Sequence, residues 1–199
     1  CIFIPGTKRF ICAPNKNQAA QIAKEKIIEI YNHWPLLKQE IKVNKTGDNP
    51  GNFGKDYVTL NFKNGSQFDV VGALDSQRGG RRHGGLIDEI RDHDETLLNE
   101  VVIPLMNVAR TLPDGKVNEA EPNAQQICMT SAGTKLSFAY DKLIDMFEMA
   151  IMRPNDAFVF GCDYRVPVAH GLLSKKQIDD LRLSPSFNED SFAREYASI

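Results

Sequence analysis

A strand that runs straight into a helix, close to the start of the chain, limits the folds open to this sequence. Lys8–Ala13 (K-R-F-I-C-A) ends in a continuous apolar run, the pattern of a strand buried on both faces, and Pro14-Asn15 breaks it. A helix follows at once. Asn15 with Gln18 three residues on forms a capping pair, and Ala20, Ala23, Ile27, Ile30, Tyr31 and Trp34 then repeat at helical spacing, as a core face, until Pro35 stops the pattern. Later segments continue the alternation. Gln126–Thr130 reads as a short buried strand, Leu136–Met152 as an amphipathic helix carrying Leu143, Ile144, Met146, Phe147 and Ile151, and Ala157–Cys162 as one more strand. Strands alternating with helices predict an α/β fold with a mostly parallel sheet flanked by helices. The clearest hairpin, Tyr57–Phe62 and Gln67–Val71 around Asn64-Gly65, is expected as an antiparallel insertion, entered through the turn-rich loop Gly47–Gly54. Thr96–Arg110 is helix-like, with Pro104 expected to kink or divide it. Ser174–Gln177 is a capping-box start for a short helix, and Asp190–Tyr196 begins another.

The chemistry concentrates in Asp75–Asp94, D-S-Q-R-G-G-R-R-H-G-G-L-I-D-E-I-R-D-H-D. An arginine-glycine cluster precedes Leu86-Ile87, and Asp88 and Glu89 follow them. A strand through Leu86 and Ile87 presents both carboxylates at its C-terminal end, where open α/β sheets bind ligands. Adjacent strand residues point to opposite faces, so one carboxylate can hold a hydrated Mg²⁺ while the other orients a water for attack on a γ-phosphate. The alternative is a strand end running into an acidic helix start, and these residues alone leave both readings open. Asp92-His93-Asp94-Glu95 reads as a solvated acidic face, because adjacent residues do not converge on one ion. Arg78, Arg81 and Arg82 suit phosphate contacts or a solvated basic loop.

Charge and cysteine usage exclude some classes. The net charge is −2 and the pI about 6.1, so contact with nucleic acid has to come from a local patch. Cys1, Cys12, Cys128 and Cys162 form no C-x-x-C pair and are expected as buried, reduced thiols. No apolar stretch approaches the ~18 residues of a membrane span. The chain opens on Cys1, from which a piece of a longer protein is expected.

The order of these features resembles the ATPase domain of the large terminase subunit, the DNA-packaging motor of tailed phages. The resemblance runs over essentially the whole chain. It is carried by F-I-P-G-T-K-R-F-I-C-A-P-N-K-N-Q-A at Phe3–Ala19, S-Q-R-G-G-R-R-H-G-G-L-I-D-E at Ser76–Glu89, T-S-A-G at Thr130–Gly133 and F-A-R-E-Y at Phe192–Tyr196. It implies a P-loop NTPase-like fold and ATP with Mg²⁺ as cofactors. By the same resemblance Asp88 is the Walker B metal carboxylate, Glu89 the catalytic one, and Thr130 and Ser131 the coupling motif. Arg78 or Arg81 is then the arginine reaching a neighbouring subunit's γ-phosphate. The implied partners are double-stranded DNA, the portal protein, the small terminase subunit and further copies of the chain, in the bacterial host cytoplasm. Two departures stand out. His83-Gly84-Gly85 leaves only Leu86 and Ile87 as the apolar part of the Walker B strand, so a short strand or a close backbone approach is expected. No G-x-x-x-x-G-K-[ST] loop occurs in the 199 residues. The family has that strand, loop and helix upstream, so residues 1–170 are expected as a partial ATPase domain lacking its Walker A part. Residues 171–199 are expected as a helical linker toward a nuclease domain. The rival readings are a helicase-like DNA-dependent ATPase and a non-catalytic module binding nucleic acid or a portal.

Overall fold

A computed structural model describes residues 1–42, 51–74, 79–121 and 123–198. They form two compact units, Cys1–Met129 and Thr130–Ile199. The first is organised around β1 (Lys8–Ala13), which lies between β4 (Gln67–Gly72) and β5 (Gly84–Ile87) and runs parallel to both. With β2 (Asn52–Phe53), β3 (Val58–Asn61) and β6 (Gln125–Cys128), the six-stranded order is β2-β3-β4-β1-β5-β6. The pairs β2–β3 and β3–β4 are antiparallel, and β5–β6 is parallel. The hairpin is therefore continuous with the sheet. Its second strand, β4, is β1's direct neighbour, and the first half of the loop that enters the hairpin, residues 47–50, lies outside the described residues.

Period-two burial explains β1. Ile11 and Ala13 belong to the cluster formed with α1 (Lys16–His33), through Ala19, Ala20, Ala23, Ile27 and Tyr31, and with Val58, Leu60 and Val70. Phe10 and Cys12 are buried on the other side of the strand, as are Ile87, Leu98, Val101, Val102, Leu105 and Met106, and residues 103–106 lie against β5. The apolar stripe of α1 is narrower than its spacing predicts. Ile30 and Trp34 are exposed, while Tyr31 in the same last turn is buried in the cluster. The Asn15 side chain caps α1 by accepting from the Asn17 main-chain N–H, and the predicted Gln18 pairing is not made. A four-residue helix, α2 (Leu37–Glu40), follows. After β5 the chain is helical over 95–106, but not uniformly. It passes from a turn of α-helix, α3 (Glu95–Leu97), through a π-helical stretch (Leu98–Val102) to a 3₁₀ turn (Ile103–Met106) that holds Pro104 in its first positions. Every residue of β6 is exposed, against the buried strand expected there.

The second unit is helical, with α4 (Phe138–Met152), α5 (Arg165–Ala169), α6 (Lys175–Arg182) and α7 (Glu189–Phe192), which runs on into a π-helical turn (Ala193–Ala197). Ser137, Ser174 and Asn188 cap α4, α6 and α7 with side-chain oxygens. Phe192 stacks on Tyr196, meets Tyr164 and Phe187 and carries the Arg182 guanidinium over its ring, so one aromatic joins the last three helical elements. The predicted strand Ala157–Cys162 is absent. No neighbouring strand pairs with it, and Phe158 and Phe160 are exposed. No helix among the described residues is long and apolar enough to cross a membrane.

Candidate functional site

Because β1, β4, β5 and β6 are mutually parallel, their C-terminal ends form one edge of the sheet. Two of those ends define the candidate site: β5 releases Asp88 and Glu89, and β1 turns through Pro14-Asn15 into α1. The glycines before Asp88 join the strand where the sequence had allowed it only two apolar residues. A Cβ on Gly84 would meet the Arg9 guanidinium and lie 2.6 Å from the Gln125 carbonyl oxygen, and one on Gly85 would enter the Phe10 ring. Both glycines are there because neighbouring strands and side chains occupy the space of a side chain. Their small size lets β5 insert between β1 and β6.

The turn after β5 is held on both sides. Asp88 N donates to Cys12 O at 2.8 Å, Met129 N to Ile87 O at 2.9 Å, and Ile90 N to Met129 O at 3.1 Å. Asp92 N closes the turn on Glu89 O at 2.9 Å. Within it Glu89 takes φ 49° and ψ 52°, the left-handed region that costs a side-chain-bearing residue about 1–2 kcal/mol. Its Oε2 is buried and has no hydrogen-bond partner among the described residues. A strained backbone and an orphaned carboxylate oxygen at one residue mark a position kept for a purpose other than stability. Asp88 beside it is half-buried.

His93 is the residue that sequence reasoning missed. Its motif read as a solvated acidic face, yet His93 is 8% exposed and its Nε2 lies 3.0 Å from the Asp88 carbonyl oxygen. Burial pushes its imidazole below the ordinary histidine range, while the contact with Asp88 pulls it back up. The acidic residues around it, Asp92, Asp94 and Glu95, are exposed as expected, and Asp94 Oδ1 also caps α3 by accepting from Leu97 N. Alternating buried and exposed residues in a tight turn carry no periodicity, so only the fold identifies His93.

The arginines do not all lie where the sequence suggested. Arg78 is outside the described residues. Arg81 and Arg82 enter β5 at its N-terminal end, with Arg82 N bonded to Leu105 O and His83 N to Lys8 O, so these two arginines precede the strand at the end opposite to the one that carries the carboxylates. The four residues of β5 alone separate the two ends by about 13 Å. Arg82 is also engaged, its guanidinium gripping both oxygens of Asp69 on β4. Arg81 is exposed. His83 is buried beside them and its Nδ1 accepts from Lys8 N, and burial first, then Arg9, Lys8 and Arg110, lowers its basicity. Thr130 and Ser131 open the second unit, the first exposed and the second half-buried. The cysteines divide. Cys12 is buried and Cys1 half-buried, but Cys128 and Cys162 are exposed, against the expectation of buried thiols.

No protein-family model and no curated protein matches the sequence. Solved structures do match its fold. The large terminase of a thermophilic bacteriophage, in complex with ADP, superposes with a TM-score of 0.58 at 14% identity over 99% of this chain and 41% of that one. The large terminase ATPase domain of Thermus phage P74-26 gives a TM-score of 0.53 at 16% identity over 98% of this chain and 76% of that one. The chain has the fold of the phage large-terminase ATPase domain. It spans about two fifths of the length of the ADP-bound terminase. The terminase-type fold accounts for the sheet of parallel strands flanked by helices, and it agrees with the resemblance seen in the motifs. At this level of identity the likeness concerns the fold.

Proposed function

We propose that this chain is the hydrolytic part of a terminase-type motor, in which ATP hydrolysis moves double-stranded DNA into a viral procapsid. The observation that carries the reading is Glu89, a strained residue with an orphaned carboxylate oxygen at the C-terminal edge of a parallel sheet. Support comes from the shared fold and from the ADP bound by the thermophilic phage's terminase. An oxygen-only donor set suits a hard cation. Mg²⁺ needs only one or two protein carboxylates beside phosphate oxygens, and no larger group of metal-binding side chains occurs among the described residues. Asp88 is proposed to hold the ion, which when bound neutralises charge on the phosphates. Glu89 is proposed to orient the attacking water, its unpartnered oxygen being available to accept that hydrogen bond.

Thr130 and Ser131, short hydroxyl residues just beyond β6, are proposed to couple hydrolysis to movement. An arginine from a neighbouring copy is proposed to complete the site, Arg78 or Arg81, and for Arg81 the N-terminal end of β5 favours action on another subunit over its own. The sequence has no G-x-x-x-x-G-K-[ST] loop, so cradling of the phosphates is assigned to residues outside it. The portal protein and the small terminase subunit are the proposed partners, in the host cytoplasm. The test is made in the protein as encoded in full. Glu89→Gln is expected to bind ATP and lose hydrolysis, and Asp88→Asn to weaken the dependence on Mg²⁺. Near-normal turnover by Glu89→Gln would overturn the reading.

A further inference from the structure

The carbonyl of Asp88 is the point at which the sheet runs out of donors. β1 and β5 are parallel with Cys12 opposite Ile87, and Asp88 N donates to Cys12 O at 2.8 Å. The N–H and C=O of a strand residue point to the same side, so the Asp88 carbonyl also faces β1. In a parallel ladder its donor is the main-chain nitrogen two residues beyond Cys12. That residue is Pro14, which has no N–H. The side chain of His93 supplies what the proline lacks, with Nε2 3.0 Å from Asp88 O. A carbonyl oxygen only accepts, so Nε2 carries the hydrogen, and in the neutral ring Nδ1 is then the bare nitrogen. Consistent with a ring placed for one bond, Nδ1 is buried and has no hydrogen-bond partner among the described residues.

The peptide plane that His93 grips is the one joining Asp88 to Glu89. From its other side the turn is closed by Asp92 N on Glu89 O, and Glu89 between them is held in the left-handed region. We propose that His93 is a positioning residue, whose Nε2–H replaces the ladder donor removed by Pro14 and fixes the orientation in which Asp88 and Glu89 leave the strand. Its consequence for catalysis rests on the proposed role of the two carboxylates. The hydrogen bond itself does not.

Two measurements test it. Long-range proton–nitrogen correlation of the histidine rings in the 199-residue chain reads which nitrogen is protonated. A proton on Nε2 of His93 is expected, and Nε2 without a proton overturns the proposal. In the protein as encoded in full, His93→Leu removes the donor, and His93→Gln keeps an N–H at similar reach. His93→Leu is expected to lower kcat for ATP by about 10-fold or more with KM within about twofold, since small displacements of catalytic groups act on the chemical step. His93→Gln is expected to recover most of that loss, whereas equal losses in the two variants overturn the positioning role. If no Glu89-dependent hydrolysis is found at all, it is the motor reading that fails, and the ring protonation still decides whether His93 donates to Asp88.

Discussion

Replacing Glu89 by glycine is expected to make the protein more stable while removing its proposed catalytic group. Two costs meet at this residue. The left-handed conformation at φ 49° is worth about 1–2 kcal/mol against a residue with a Cβ, and glycine relieves it. Glycine gives back about 0.4–1 kcal/mol by freeing the unfolded chain. The second cost is the buried, unpartnered Oε2, about 1–3 kcal/mol for a fully buried acceptor and toward the lower end for a residue that is only half-buried overall. The sum is a net gain of about 1–2 kcal/mol for Glu89→Gly, roughly 3–6 °C in Tm for a chain of this size. Glu89→Ala removes the carboxylate but keeps the strained backbone, so the difference between the two variants reads the backbone part alone. Urea unfolding followed by far-ultraviolet circular dichroism is the appropriate assay, because the single tryptophan, Trp34, is 66% exposed and reports little of the core. An unchanged m-value is required for the comparison to hold. If Glu89→Gly is no more stable than the parent chain, the strain and the orphaned oxygen are not costs of the native state, and the argument that function maintains them fails.

Other outcomes follow from the same structure. Gly85→Val puts a Cβ 2.8 Å from Phe10 Cδ1 in the middle of the sheet and is expected to destabilise the fold by about 1–3 kcal/mol, measured by the same urea titration. Burial pushes the Cys12 thiol up to about 12, so a thiol reagent at neutral pH is expected to label the exposed Cys128 and Cys162 and to spare Cys12 until the chain unfolds, as read by mass spectrometry of digests. Because the unfolded thiol ionises near the ordinary value of ~8.5, the contribution of Cys12 to stability is complete below that pH and is lost as the pH rises toward 12. Thr130→Ala combined with Ser131→Ala, in the protein as encoded in full, is expected to leave nucleotide binding nearly intact and to impair DNA-stimulated turnover, and a double variant with normal stimulated turnover removes these residues from the coupling role. The 199-residue chain by itself is expected to release no phosphate from ATP, since its sequence has no G-x-x-x-x-G-K-[ST] loop to neutralise the transferring group.

Much of the fold was legible because it depends on local patterns. A continuous apolar run broken by Pro14-Asn15 makes β1 and starts α1, Asn64-Gly65 turns the hairpin, and Ser174 caps its helix, each through sterics or hydrogen bonds between residues close in sequence. The same local order, Leu86-Ile87 followed by two carboxylates, located the candidate site. What required the tertiary structure were the features set by neighbours distant in sequence. His83-Gly84-Gly85 left open a short strand or a close backbone approach, and it is Phe10, Arg9 and Gln125 on adjoining strands that show the close approach and bring both glycines into β5. Ala157–Cys162 has the apolar content of a strand, but a strand also needs a partner's hydrogen-bonding edge, and composition cannot supply one. Arg81 and Arg82 adjoin the carboxylate strand in sequence and enter it at the opposite end, because a strand separates its two termini by its whole length. His93 sits among Asp92, Asp94 and Glu95 like one more solvated polar residue. It is buried because β1 and β5 are parallel neighbours and Pro14 leaves the Asp88 carbonyl without a main-chain donor, a gap created by two residues more than seventy positions apart in the chain.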